Sequence, residues 1–319
     1  MTAIIETHSL TKKYRRITAL DDLDLVVEEG AVYGLVGPNG AGKTTTMRIL
    51  AALLSATSGE AWVGGHSVSA DPRAVRRIIG YMPDFFGVYG DLKVWELLDF
   101  FAACYEIPTE RRNQLVIDLL ELVELSHRSD DYVEGLSRGM KQRLCLARAL
   151  THDPRVLILD EPASGLDPRA RVEMRDLLRE LHSMGKTVIV SSHILSEIED
   201  VCTHIGIIEA GRLVASGSLE EIRQRAKAHR LIHIGLHKSD EQVVDRAQAW
   251  LVGRSDVLEV QAAQANGEAD LIVSFAGDAQ GLTELLSAMV GEGLPILLFR
   301  EEPSDLEDAF MRLTQGIVS

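Results

Sequence analysis

The sequence predicts an α/β protein that carries a smaller α+β domain at its carboxyl end. Up to about residue 226, short apolar runs with the length of buried strands alternate with helical patterns, which is typical of parallel strands joined by crossover helices. Beyond that point the order of the patterns changes. The length of 319 residues agrees with two unequal domains, because single domains usually stop growing at about 250–300 residues.

The first domain is assigned to residues 1–226. Its strands are predicted from apolar runs at Ile4–Glu6, Leu23–Val27, Ala31–Val36, Ile78–Met82, Val156–Leu159, Thr187–Ser191 and Ile205–Ile208. The interval from about residue 91 to residue 150 is almost wholly helical in pattern. We therefore expect a helical insertion into the α/β core.

The second domain is assigned to residues 227–319. Its predicted elements are a strand (Leu231–Leu236), a helix (Glu241–Val252), two strands (Leu258–Ala262 and Leu271–Phe275), a helix (Gly281–Gly291) and a strand (Ile296–Arg300). This βαββαβ order is ferredoxin-like. A last helix is predicted from Ser304, because Glu307 follows three residues later in the spacing of a capping box.

Composition excludes some classes of function. The chain has 33 Lys and Arg residues against 48 Asp and Glu residues, a formal net charge of −15, which opposes binding to nucleic acid. Three widely spaced cysteines (Cys104, Cys145 and Cys202) lie in apolar stretches, as reduced core thiols do in a cytosolic protein. No apolar stretch is long enough to cross a membrane, and the first residues do not form a secretory signal. We expect a cytoplasmic protein.

A phosphate-binding loop follows the predicted strand Ala31–Val36. The segment Gly37-Pro38-Asn39-Gly40-Ala41-Gly42-Lys43-Thr44 has the required spacing, and a helical pattern begins at its end. Backbone N–H groups of such a loop bind phosphates, the lysine reaches the terminal phosphates and the hydroxyl of Thr44 can bind Mg²⁺. Thr45 is included in the nucleotide site. A chance match to a glycine-rich turn is the alternative.

Two carboxylates follow the apolar run Val156–Leu159. Asp160 and Glu161 emerge at the carboxyl end of a buried strand, where open α/β sheets bind their ligands. In phosphoryl transfer, Asp160 would bind Mg²⁺ and Glu161 would polarise the attacking water. An acidic pair at a strand end is also common as a simple solvated turn.

The order of the motifs resembles a known family. After the phosphate loop come Leu136-Ser137-Arg138-Gly139 before a helical pattern, the strand that ends in Asp160-Glu161-Pro162, then Ser164-Gly165-Leu166-Asp167, and finally His193. This order is similar to that of the ATP-binding subunits of ABC transporters, over residues 4–219. Glu302–Phe310 resembles the closing segment of the export-type members, which are encoded apart from their permease.

The resemblance implies a homodimer in which two subunits pack head to tail and bury two ATP molecules. In that arrangement Ser137 and Gly139 would meet the γ-phosphate bound by the partner, while Ser164 and Asp167 would link the two sites. His193 would contact the γ-phosphate of its own site. Without the family order, Ser137 would be read as a simple helix N-cap.

Further roles also follow from the resemblance alone. Tyr14 aligns with the aromatic residue that stacks on adenine. Asp84 stands where most relatives have a glutamine near Mg²⁺ and the attacking water, and Arg138 stands where many have glycine, so we expect its side chain to point away from the nucleotide. We predict that the permease docks on three aromatic residues, Phe85, Phe86 and Tyr89. Burial in a local core is the alternative for them.

The sequence thus predicts an ATPase with ATP and Mg²⁺ as ligands, bound to the inner face of the cell membrane through a separate integral membrane permease. Its predicted catalytic residues are Lys43, Glu161 and His193. A soluble ABC-type ATPase that acts on the ribosome or on DNA is the first alternative. A small-molecule kinase is the second, and it leaves His193 and the Leu136–Gly139 segment unexplained.

Overall fold

The computed structural model describes residues 2–84, 87, 89–222, 230–237, 241–265 and 268–302. The chain divides into two units, of which the larger comprises the chain up to Leu219 and the smaller begins at Glu220. The boundary predicted at residues 226 and 227 lies outside the described residues, as do the last helix predicted from Ser304 and most of the 302–310 segment.

The larger unit begins with two long strands and continues as alternating strands and helices. In chain order its elements are β1 (Ala3–Tyr14), β2 (Ile17–Glu28), β3 (Val32–Val36), α1 (Lys43–Leu50), β4 (Ser58–Val63), β5 (His66–Ser67), α2 (Pro72–Ile78), β6 (Ile79–Met82), α3 (Val94–Cys104), α4 (Thr109–Leu122), α5 (Arg138–Leu150), β7 (Val156–Leu159), α6 (Pro168–Ser183), β8 (Thr187–Ser192), β9 (His204–Glu209) and β10 (Arg212–Ser218).

A six-stranded sheet forms the centre of this unit. Its strand order is β10-β9-β3-β8-β7-β6, and all neighbours are parallel except β10, which is antiparallel to β9. Every residue of β3, β7 and β8 is buried, which explains their continuous apolar runs. Because parallel strands present their carboxyl ends at one edge, the segments that follow β3, β6, β7 and β8 meet there.

A second, antiparallel sheet has the order β2-β1-β4-β5. The sequence predicted only short strands here, and β1 and β2 are in fact 12 residues long. Register shifts interrupt the pairing of β1 with both neighbours, so alternation of apolar and polar residues is lost along the strand. β4 was not predicted, because only its last residues, Ala61 and Val63, are buried apolar positions.

The helical insertion consists of α3, α4 and α5, within the predicted interval of residues 91–150. Each helix buries one apolar face, for example Leu98 on α3, Leu120 on α4 and Leu144 on α5. The three helices pack on one another. The predicted fold class is confirmed in this unit.

The smaller unit has the predicted βαββαβ order. Its elements are β11 (Arg230–Leu236), α7 (Glu241–Val252), β12 (Val257–Ala265), β13 (Glu268–Phe275), α8 (Ala279–Gly291) and β14 (Ile296–Glu302). The sheet is antiparallel with the order β12-β13-β11-β14, which is the ferredoxin-like arrangement. Its core includes Ile234 and Val273 from the sheet and Leu251 and Leu285 from the helices.

All three cysteines are free thiols. Burial raises the pKa of Cys145 to about 11 and that of Cys202 to about 12, as expected of unreactive core thiols. The prediction of a core position was wrong for Cys104, which is exposed in the last turn of α3, one turn after the exposed Phe100 and on the same side of the helix. Among the described helices, none combines the length and the apolar character needed to cross a membrane.

Candidate active site

The phosphate-binding loop connects β3 to α1 and curls around the ammonium group of Lys43. Lys43 Nζ donates to the carbonyl oxygens of Gly37 at 2.6 Å and Pro38 at 3.2 Å, and the side chain is buried. Gly42 has φ 108°, and a β-carbon there would lie 2.6 Å from the carbonyl oxygen of Ala19. Only glycine allows this turn, which presents the loop at the N-terminus of α1.

Asp160 follows β7 and is almost fully buried, with 1% of its surface exposed. Its Oδ1 accepts hydrogen bonds from Ser191 Oγ at 2.8 Å and Thr44 Oγ1 at 3.2 Å, while Oδ2 has no hydrogen-bond partner among the described residues. Burial raises the pKa of the Asp160 carboxyl, and the nearby carboxylates of Asp84 and Glu161 raise it further, against the two hydrogen bonds.

The unpartnered oxygen of Asp160 fits a hard cation. A buried acceptor without a donor is costly, and Mg²⁺ prefers oxygen ligands such as carboxylates and hydroxyls. Thr44 supplies a hydroxyl beside Asp160, and Asp84 is close enough to raise the pKa of its carboxyl. The donor set therefore agrees with a magnesium ion bound together with phosphate oxygens.

Glu161 lies between two groups that can orient its carboxylate. Its Oε1 is 3.3 Å from Lys43 Nζ, and its Oε2 is 2.6 Å from His193 Nδ1. Because a carboxylate oxygen accepts, the Nδ1–H of His193 is the donor. The backbone N–H of Glu161 donates to Ser191 Oγ at 2.9 Å. Glu161 also has φ 52°, a left-handed conformation that is unfavourable for a non-glycine residue and is concentrated at functional sites.

These groups surround an open pocket of about 590 Å³. Its lining includes most of the predicted nucleotide-binding residues: Asn39, Gly40, Gly42, Lys43, Thr44, Thr45, Asp84, Glu161, Ser164 and His193. Other predicted residues of the loop, Gly37, Pro38 and Ala41, do not line the pocket, and Asp160 contacts it through its hydrogen bond from Thr44. The structure thus brings the carboxylates, the lysine and the histidine to one cavity.

Tyr14 does not line this pocket. It is half-exposed at the end of β1, and Lys12 Nζ lies 5.1 Å from the centroid of its ring. Tyr14 lines a second pocket with its neighbours, and Ile17 lines both pockets, so the two adjoin.

Ser137, Gly139 and Asp167 lie outside the pocket. Ser137 is the N-cap of α5, accepting from the Met140 N–H at 3.3 Å, and Asp167 is the N-cap of α6, accepting from the Ala170 N–H at 2.9 Å. Both side chains are exposed. Within one chain, these residues and the phosphate loop do not form a common site.

Sequence reasoning missed three residues of the site. Ser191 binds Asp160 and the backbone of Glu161, and the signal was a polar residue closing the apolar run of β8. Ile17 and Ala19 also line the pocket, and Ile17 is exposed over 55% of its surface. An exposed isoleucine beside an exposed tyrosine is a signal for a flat apolar ligand, but only once the fold places it at the pocket.

Comparisons with known proteins agree with this geometry. A family model described as "ABC transporter" matches residues 20–164. Nod factor export ATP-binding protein I from Cupriavidus metallidurans is 34% identical over 323 residues, covering 98% of this chain and 98% of the relative. The bacitracin transport ATP-binding protein from Bacillus licheniformis is 35% identical over 320 residues, covering 99% of each.

Solved structures give the same result for the larger part of the chain. The ATP-binding subunit of an ABC transporter is 30% identical with a TM-score of 0.63, covering 70% of this chain and 92% of that one. A dimeric ATP-binding cassette in a post-hydrolysis state, bound to ADP and phosphate, is 26% identical with a TM-score of 0.62, covering 67% and 98%. The chain belongs to the ABC transporter family, as one of its ATP-binding and ATP-hydrolysing subunits.

Proposed function

We propose that this protein drives export through a separate integral membrane permease and binds the inner face of the cell membrane through that permease. Support comes from two relatives that match nearly the whole chain and are named for Nod factor export and bacitracin transport. We further propose residues 1–226 as the ATP-binding domain and residues 227–319 as an accessory domain.

The proposed working form is a head-to-tail homodimer that closes on two ATP molecules. The observation that carries this proposal is that Ser137 and Asp167 are exposed and do not line the phosphate pocket of their own chain. A helix N-terminus attracts phosphate, so the first turn of α5, with Ser137 and Gly139, is suited to the γ-phosphate bound by the partner. A dimeric cassette of 26% identity supports this arrangement.

In each site the phosphate loop would bind the phosphates. Lys43 Nζ would exchange its hydrogen bonds to the carbonyl oxygens of Gly37 and Pro38 for contacts with the terminal phosphates. The adenine ring would stack on Tyr14, whose pocket adjoins the phosphate pocket at Ile17. Thr44, Asp160 and Asp84 would bind Mg²⁺, which supplies charge neutralisation for the phosphate oxygens.

Glu161 is the proposed general base. Its carboxylate faces the pocket, and the hydrogen bond from His193 and the ion pair with Lys43 fix its direction. A carboxylate held in this way can accept a proton from a water molecule in line with the γ-phosphate. His193 donates a hydrogen bond to Glu161 and lines the pocket, and its proposed role is to contact the γ-phosphate of bound ATP.

Replacing Glu161→Gln should remove the base while the phosphate loop stays intact. We expect ATP binding to persist and steady-state hydrolysis to fall by about a hundredfold or more, the usual contribution of a general base. Glu180→Gln, an equal charge change on the exposed side of α6, is the matched control and should hydrolyse ATP normally. Near-normal turnover of the Glu161→Gln protein would contradict this role.

Replacing Asp160→Asn should stabilise the protein when metal and nucleotide are absent. Because the pKa of Asp160 is raised in the folded state, its ionisation disfavours folding. This cost grows as the pH rises from the unfolded pKa through the folded pKa and is complete above it. Removal of the buried charge is worth on the order of 1 kcal/mol, or about 2–4 °C in Tm.

Thermal unfolding at neutral pH with a chelator would measure this shift, and the exposed Asp118→Asn is the control. The same Asp160→Asn protein should lose the additional stabilisation that wild-type protein gains from MgATP. A lower Tm for Asp160→Asn than for wild type in the chelator would mean that the carboxylate stabilises the fold without a cation, which would contradict this prediction.

We also propose that aromatic residues after β6 dock the permease. Tyr89 is exposed over 57% of its surface, and its ring meets the edge of Phe100 on α3 at 5.9 Å between centroids. Phe100 is itself 45% exposed, so the two rings form an apolar surface. Phe85 and Phe86 lie outside the described residues.

Docking predicts that a polytopic membrane protein co-purifies with the tagged chain from gently solubilised native membranes. A Tyr89→Ala, Phe100→Ala variant should lose this protein, whereas Ile117→Ala, which removes an exposed side chain from α4, should keep it. Recovery of ribosomal or DNA-bound proteins without any permease would refute the transporter role and favour the soluble alternative.

A further inference from the structure

The side chain of Arg138, the first residue of α5, contacts the loop that follows β7. This loop comprises Ser164–Asp167, and a β-carbon at Gly165 would lie 2.5 Å from Cζ of Arg138 and 2.7 Å from Nη2. These distances show that the guanidinium lies against the open face of Gly165, where a side chain would otherwise stand. Gly165 has φ 66°, a left-handed conformation that favours glycine.

Electrostatics does not explain why an arginine stands here. Arg138 is in the first turn of α5, where the helix dipole disfavours a positive charge. The side chain is exposed and has neither a hydrogen bond nor an ion pair with any residue that the structure describes. The contact that remains is that of the guanidinium with Gly165, and the planar guanidinium covers more of this surface than the ammonium group of lysine would.

A second contact joins the same two segments. Gln142, one turn further along α5 and almost fully buried, donates from Nε2 to the carbonyl oxygen of Ser164 at 3.3 Å. Gly139 lies so near α6 that a β-carbon there would be 3.0 Å from the β-carbon of Ala170. The first turn of α5 and the Ser164–Asp167 loop therefore form one packed surface.

The loop is also a direct continuation of the catalytic strand end. The N–H of Ser164 donates to the carbonyl oxygen of Glu161 at 3.1 Å, and Ser164 lines the pocket. A displacement of the loop would therefore move the backbone carbonyl of Glu161, the proposed general base. In the proposed dimer, the first turn of α5 faces the other nucleotide.

We propose that Arg138 is a positioning residue that fixes the Ser164–Asp167 loop to the first turn of α5. The loop belongs to the active site of its own chain and the first turn of α5 belongs to the site of the partner, so the contact would make the two segments move together. The contact itself is a property of one chain. Its effect on catalysis rests on the head-to-tail dimer of the proposed function.

Hydrogen exchange of the nucleotide-free protein tests the contact without any dimer. In Arg138→Gly, the amides of residues 164–166 should exchange about fivefold faster or more, because the loop loses its cover. Arg138→Lys should behave like Arg138→Gly, since lysine keeps the positive charge but lacks the planar guanidinium group. The control is Arg169→Ala, which removes a 91% exposed arginine from the first turn of α6 and should leave the loop unchanged.

Steady-state hydrolysis over a range of ATP concentrations tests the consequence. We expect a Hill coefficient above 1 in wild-type protein that falls towards 1 in Arg138→Gly and Arg138→Lys, with kcat lower by about tenfold, the size of a coupling of 1–2 kcal/mol. ATP binding to the single chain should stay unchanged. Unchanged melting temperatures would show that the fold is intact.

The outcomes separate the two proposals. Unaltered exchange in Arg138→Gly would overturn the positioning role, and so would full activity of Arg138→Lys, which would assign the arginine a charge role instead. If exchange rises as expected but wild-type protein shows neither ATP-dependent dimers nor cooperativity, the positioning contact stands and the dimer of the proposed function fails.

Discussion

The pairing register of β7 with β8 is the constraint on which the active site depends. Leu159 pairs with Val190, so the next residue of each strand, Asp160 and Ser191, meet at the carboxyl edge of the sheet. Ser191 then holds the carboxylate of Asp160 and the backbone N–H of Glu161 at once. A slip of one residue would turn Asp160 into the opposite layer and separate both carboxylates from the phosphate loop.

The same site concentrates features that oppose folding. Three such features lie close together. The carboxylate of Asp160 has an oxygen without a hydrogen-bond partner among the described residues, Glu161 has a positive φ, and the ammonium group of Lys43 is buried. Each is unfavourable on its own. The fully buried strands β3, β7 and β8 supply the packing that holds them in place. Phosphates would pair with the ammonium group of Lys43, and a cation with the free oxygen of Asp160.

The sequence was sufficient where the signal is local. The phosphate loop, the Asp160-Glu161 pair and the helix cap at Ser137 are short patterns whose spacing follows from backbone geometry, and the βαββαβ order follows from element lengths. The sequence was insufficient to predict features that depend on contacts between residues far apart in the chain. Neither the bond from Ser191 to Asp160 nor the contact of Arg138 with Gly165 leaves a periodic signal, and the bulges of β1 concealed its length.

The central claim is that each active site takes its phosphate loop from one chain and its Ser137–Gly139 segment from the other. Mixing two inactive variants tests it: Lys43→Ala, which damages the loop, and Ser137→Asp, which keeps a side chain able to cap α5 but sets a negative charge against the partner's γ-phosphate. Half of the random dimers are then mixed, and each mixed dimer has one intact site of two. We therefore predict that ATPase activity recovers to at most about a quarter of wild type, and that coupling between the sites lowers this value. Activity no higher than that of either variant alone would contradict a shared site.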